Sequence, residues 1–176
     1  MKYEIIGFEM KYWNGIADIW LSPSCQWGGL QMPLQSRDAI RKTLEQSPPN
    51  VTRLIAVRTS DERVLGTISI SPMSGRRSHS AEIGLLVHEE FQGQGIGSAL
   101  LERGVDLAEN WLGILRLGLM VYTDNEHAIR IYQRAGFKTE GIARCIARRN
   151  GKFEDALLMG RVSENSVTRA EIETGN

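Results

Sequence analysis

Near the middle of the chain, Gln92-Gly93-Gln94-Gly95-Ile96-Gly97-Ser98 follows a strand-like run from Ala81 to Val87 and opens a helix-like run from Ser98 to Leu112. A strand that turns through glycines into a helix exposes bare backbone N–H groups where the helix begins. The first four N–H groups of a helix have no internal partner, and the aligned peptide dipoles leave roughly half a positive charge there. Such a terminus holds a pyrophosphate without a lysine. Glycines at 93, 95 and 97 permit φ > 0 and let an anion come close, because no Cβ stands in the way. The segment dictates a strand–loop–helix unit and points to a phosphate-bearing ligand.

At 176 residues the chain has the usual size of one domain and can bury a sizeable core. One globular domain is expected over residues 1–162, followed by a polar tail over 163–176 that begins at Ser163. Lys plus Arg and Asp plus Glu are 21 each, so no global charge recommends nucleic acid or an anionic membrane as a partner. Cys25 and Cys145 lie far apart without metal-ligand spacing, and the three histidines do not cluster around them. They read as free thiols of a reducing compartment, with no metal site. Met1-Lys2-Tyr3-Glu4 leads straight into a short apolar strand, and no window reaches the ~18 apolar residues of a membrane span. A cytoplasmic protein is expected.

Tyr3 to Phe8 reads as a strand, and Tyr12 to Leu21 as a helix with Trp13, Ile16, Ala17 and Trp20 at helical spacing. Pro23 ends that helix, and Ser24 to Pro33 reads as a glycine-punctuated loop. Ser36 can cap a second helix to about Gln46. Leu54 to Thr59 and Val64 to Ser71 form a hairpin around Ser60-Asp61-Glu62-Arg63, and a third strand starts at Ala81. Leu115 to Tyr122 is the next strand. Asn125 caps a helix that stops at Gly136, with Phe137 folding back. Lys138 to Arg148 and Phe153 to Val162 flank Asn150-Gly151, a strong hairpin signal. The order predicts an α/β (α+β) fold: a mixed, mostly antiparallel sheet of about seven strands with helices on both faces.

Glycine loops serve several unrelated nucleotide sites. An ATP-type P-loop needs G-x-x-x-x-G-K-[ST], whereas Gly97 is followed directly by Ser98. A dinucleotide loop needs G-x-G-x-x-G/A on the first strand of a parallel βαβ unit; counting from Gly93 puts Ser98 in the third place, and the loop follows an antiparallel meander. The spacing Gln92-x-x-Gly95-x-Gly97 instead resembles the Q/R-x-x-G-x-G/A acyl-CoA loop of the GNAT superfamily of N-acetyltransferases. Ile83-Gly84-Leu85-Leu86-Val87-His88 resembles that family's fourth strand, and Asn125-x-x-Ala128-Ile129-x-x-Tyr132-x-x-x-Gly136-Phe137 its second CoA motif. Glu140-Gly141-x-x-Arg144 and Gly151-x-x-x-Asp155-x-x-x-Met159 are similar to bacterial members acting on free amino acids, and more loosely to those acting on ribosomal-protein N-termini.

The resemblance implies splayed fourth and fifth strands with the pantetheine arm of acetyl-CoA between them. Backbone groups near Leu85 and Val87 would hold the arm and polarise the thioester, Gln92 to Ser98 (including Gly93, Gln94, Gly95, Ile96 and Gly97) would seat the pyrophosphate, and Asn125 would contact the pantetheine amide. Tyr132 occupies the position of the family's general acid, with packing of its helix as the alternative role. It is also counted among the coenzyme contacts. A peptide-like α-amine with pKa near ~7.8 needs only a modest base, whereas a lysine-type amine near ~10.4 must first give up about 4 kcal/mol of proton affinity. Glu82, beside the splay, is the candidate base, directly or through a water. His79 and His88 are weaker candidates, and an ordinary exposed glutamate is the alternative for Glu82. Trp27, Leu30 and Met32 could wall an acceptor pocket, with Arg76 or Arg77, beside His79, clamping a carboxylate.

The expected acceptor is the α-amine of a small free amino acid or an analogue. The alternatives are a protein N-terminus or a non-catalytic acyl-CoA-binding module. By resemblance alone, a homodimer is expected.

Overall fold

The computed structural model describes residues 1–163. Among them, seven strands form one sheet in the order β1-β2-β3-β4-β5-β7-β6. These are β1 (Tyr3–Gly7), β2 (Thr52–Arg58), β3 (Val64–Pro72), β4 (Ser80–Val87), β5 (Arg116–Tyr122), β6 (Lys138–Arg149) and β7 (Lys152–Val162). Every neighbouring pair is antiparallel except β4 and β5. This is the mixed seven-stranded sheet that the element order predicts.

Successive residues of a strand point to opposite faces, so a central strand feeds two cores. In β2, Leu54 and Ala56 join α4 (Ile96–Asp106) and α5 (Glu126–Arg134), while Ile55 and Val57 join α1 (Trp13–Leu21) and α3 (Arg37–Glu45). The caps follow the local chemistry. Ser36 Oγ accepts the Ala39 N–H at 3.1 Å and Asn125 Oδ1 accepts the Ala128 N–H at 3.2 Å. At the far end of α5, Gly136 takes φ 85° and the Phe137 N–H donates to the Tyr132 carbonyl at 3.0 Å. Asn150 and Gly151 both have positive φ, 49° and 81°, as a type I′ hairpin requires.

Three local features differ from the sequence expectation. Pro23 ends α1 but also opens a short helix, α2 (Pro23–Gly28), because its missing N–H costs nothing in a first turn. The helix after the glycine loop begins at Ile96, two residues early, and passes after Asp106 into a π-helical turn, Leu107–Trp111. Ser163 is buried, its N–H donating to the Leu115 carbonyl at 2.8 Å; the rest of the expected tail lies outside the described residues. Among the described residues no helix is long and apolar enough to cross a membrane.

Strands β4 and β5 pair only at Ser80↔Arg116, Ala81↔Leu117 and Glu82↔Gly118. Beyond that point β4 stays with β3 as far as Val87↔Gly66, while β5 follows β7 to Tyr122↔Ala156. The expected V is present. In β6, a bulge puts Cys145 at φ 52°, and Asp155 Oδ1 accepts its N–H at 2.8 Å. Arg144 also faces Asp155, at 3.5 Å, so these two motif residues shape the bulge.

Close packing of α1 on β3 rests on Gly15, where a Cβ would lie 2.7 Å from Val64 Cβ. In urea titrations Gly15→Ala should lower stability by ~1–3 kcal/mol. The loss should shrink when Val64 is also trimmed to Ala, a coupling that a double-mutant cycle reads directly.

Candidate active site

The His88 N–H donates to the Leu65 carbonyl on β3 at 2.9 Å. In an antiparallel ladder alternate residues bond to the same neighbour, so Gly84 and Leu86 also turn their backbone groups to β3. Ile83, Leu85 and Val87 turn theirs into the V, as the sequence reading expects for Leu85 and Val87. The Val87 carbonyl accepts from Gln92 Nε2 at 3.0 Å and from Cys25 Sγ at 3.2 Å. Leu85 faces the open gap, where an extended ligand can bond to it as another strand would.

The glycine loop continues from the tip of β4. Gly93 and Gly95 have φ 73° and 81°, and at neither position would a Cβ meet anything within 4 Å. Positive φ and open space together make a backbone cradle for an anion. The first α4 bond runs from the Ala99 N–H to the Gly95 carbonyl at 3.0 Å, leaving the N–H groups of Ile96, Gly97 and Ser98 without helical partners. Ile96 itself is buried, so only its backbone can serve a ligand. The two glutamines brace the loop: Gln94 Nε2 donates to the Glu90 carbonyl at 3.1 Å, and Gln92 Nε2 also reaches Ser24 Oγ at 3.2 Å. These residues fit the pyrophosphate and arm of a CoA thioester.

A cleft of ≈ 840 Å³ runs from this loop through the V, and Leu85, Gly95, Asn125 and Tyr132 line it. Tyr132 is 7% exposed, its ring edge-on to Phe137 at 5.9 Å. Burial pushes its phenol pKa up to about 12. No described residue hydrogen-bonds its hydroxyl. Glu82 also lines the cleft, in the last register pair before the strands part, and carries no ion pair with a described residue.

Trp27 and Leu30 line the cleft too, but Met32 lies outside it, 68% exposed. Arg76, Arg77 and His79 also fall outside. They are exposed residues of the β3–β4 connection, and the His79 carbonyl accepts the N–H groups of Leu115 and Arg116 at 2.8 and 3.2 Å. That stitching fixes the segment to the closed end of the V, away from the gap. His88 is buried beside Phe91, its Nδ1 accepting the Glu90 N–H at 3.3 Å, so its ring braces the turn after β4.

Two arginines escaped the sequence reading. Arg149 stacks on Trp27 at 4.1 Å, donates to the Trp27 carbonyl at 2.9 Å and pairs with Asp124 and Glu154. It ties α2 to the loop after β5 across the mouth of the V. Arg53 lines the cleft from β2; its sequence signal is a cation immediately before the apolar run Leu54-Ile55-Ala56-Val57. No group of three or more metal-binding side chains occurs among the described residues.

Residues 13–137 match the acetyltransferase (GNAT) family. The chain is 33% identical over 155 residues to the L-amino acid N-acetyltransferase AaaT of Escherichia coli (strain K12), covering 88% of this chain and 94% of that one. It superposes on the crystal structure of spermidine N-acetyltransferase from Vibrio cholerae in complex with CoA and spermine with a TM-score of 0.83, at 19% identity over 94% and 98% of the two chains. The ribosomal-protein-alanine N-acetyltransferase from Brucella melitensis gives 0.78, at 20% identity over 91% and 99%. At those identities the two structures speak for the fold alone.

Gly95→Ala must hold an L-residue at φ 81°, a penalty of ~1–2 kcal/mol. Calorimetry should show acetyl-CoA binding weakened by roughly 10-fold, with secondary structure retained by circular dichroism.

Proposed function

This chain belongs to the acetyltransferase (GNAT) family, and on that premise we propose that it moves the acetyl group of acetyl-CoA to the α-amine of a small free amino acid or a close analogue, by direct attack in a ternary complex. The observation that carries the proposal is the V itself: strand amides face the gap, Glu82 stands at its vertex, and the unpaired Tyr132 hydroxyl lies in the same cleft. The relative named for acting on L-amino acids supports the choice of acceptor. So does Arg149, because a bridged mouth suits a closed pocket, whereas a protein N-terminus needs a groove open at both ends.

Acetyl-CoA supplies the activated acyl group. The backbone N–H groups of Ile96, Gly97 and Ser98 hold the pyrophosphate, and Leu85 orients the arm and donates toward the acyl oxygen where negative charge develops. Glu82 takes the proton of the incoming ammonium, directly or through a water. Tyr132 hydrogen-bonds the departing sulfur. With its pKa at about 12 the phenol is a weaker acid than the ordinary value of ~10 suggests. The same desolvation raises the basicity of a thiolate leaving into that pocket, so donor and acceptor are shifted together. Cys25 and Cys145, both free thiols, are consistent with action in the cytoplasm. A homodimer belongs to the same reading, supported by the exposed Ile142, Phe153 and Leu158 of β6 and β7.

A screen of the twenty amino acids for acetyl-CoA-dependent thiol release should find acceptors among them; activity only with peptides or polyamines would refute the acceptor assignment. Tyr132→Phe should lower kcat by ~10²-fold or more, with acetyl-CoA affinity changed far less. Because the raised pKa keeps the phenol protonated until pH nears 12, kcat should rise with pH as the acceptor amine deprotonates and show no falling limb from Tyr132 below pH ~10. A falling limb at pH ~8–9 that disappears in Tyr132→Phe would contradict this assignment.

A further inference from the structure

The register of three strands places a second charged group on the face that carries Glu82. Arg53 pairs with Ser69 and Ser69 with Gly84, while one step along Ser71 pairs with Glu82. All five residues therefore project to the α1 side of the sheet. Strand spacings of ~4.8 Å and a rise of ~3.3 Å per residue put the Cα atoms of Arg53 and Glu82 roughly 12 Å apart, so their side chains face each other across a gap. The floor between them is shallow, because Ser69 and Gly84 carry little or no side chain, and a Cβ at Gly84 would approach Ser69 Oγ to 3.1 Å. Arg53, Ser69, Glu82 and Gly84 all line the cleft.

Arg53 is singular among the half-buried arginines near the site. Arg149 is neutralised by Asp124 and Glu154, and Arg161 by Glu109. Arg53 has no carboxylate partner among the described residues, and only the Trp20 ring, 5.9 Å from its guanidinium carbon, attends it. Desolvation lowers its pKa, which marks a cation held where water serves it poorly. An incoming anion relieves that cost, and a planar carboxylate matches the guanidinium fork with two parallel hydrogen bonds.

We propose that Arg53 binds the α-carboxylate of the acceptor, so that the site selects amines bearing a carboxylate on the adjacent carbon and presents the amine toward Glu82. This rests on the acceptor reading above and narrows it. Polyamines, which lack the anion, would bring a second cation to an unpaired arginine. The carboxylate anchor that the sequence reading sought in Arg76 or Arg77 lies instead on β2.

The test compares an amino acid that the enzyme acetylates with its own primary amide, which keeps side chain and amine but loses the carboxylate. The amide's amine is less basic and so the readier nucleophile near neutral pH; a preference for the acid must therefore come from the site. The wild type should favour the acid by roughly 100-fold or more in kcat/KM. Arg53→Met should bring that ratio to within about 3-fold of one, mainly through the KM of the acid, and Arg53→Lys should restore part of it by returning the charge without the fork. Calorimetric binding of acetyl-CoA checks that each variant is folded. A wild type that acetylates no amino acid overturns the acceptor reading. A wild type that does so, but with a ratio near one or a ratio that persists in Arg53→Met, overturns the role of Arg53 alone.

Discussion

Three register pairs are all that join β4 to β5, and the site exists because the pairing stops there. A buried strand edge without partners is costly, since each peptide group must find a hydrogen bond somewhere. This fold directs that cost to one place. Strand β5 keeps to β7 along one edge from Arg116 to Tyr122, and β4 to β3 from Ala81 to Val87, so beyond the third pair each diverges with its own partner and its other edge is left open. The unpaired edge is left for a ligand with strand-like amides. The glycine loop then starts where β4 ends, which sets an anion cradle at the end of the same gap.

Much of this was legible because the signals were local. Glycines at 93 and 95, the cap at Asn125, the stop at Gly136 and the Asn150-Gly151 turn each act within a few residues, and each takes the conformation its chemistry prescribes. Helix α2 was hidden by an ambiguity in Pro23, which can close one helix and open another. The acceptor side was harder to read. Arg76 and Arg77 stand out in the sequence as a basic pair in a loop, but the contacts of His79 with Leu115 and Arg116 hold that loop at the closed end. Arg53 meets Glu82 only through the register of three strands, a relation spread over some thirty residues of chain. Its trace is a charge at the head of a strand, just before the apolar run, where propensity alone treats a polar residue as ordinary.

The same scarcity of water acts in opposite ways on the roles proposed for Tyr132 and Arg53. For the phenol, burial stabilises the neutral form and preserves a proton donor at every practical pH. For the guanidinium, which stays charged even when its pKa is lowered, burial leaves an unanswered demand for an anion. Asp155 shows the structural counterpart: a motif residue whose carboxylate is spent on the backbone of Cys145, shaping the β6 bulge beside the cleft residue Ile146.

The gap between β4 and β5 pierces the sheet, and its two sides belong to different layers. The glycine loop opens α4 on one side, whereas Arg53, Ser69 and Glu82 project on the other, beneath α1. Under the proposed function, donor and recipient would reach one meeting point from different faces of the sheet. On that reading a perforated wall suits addition of the two in either order.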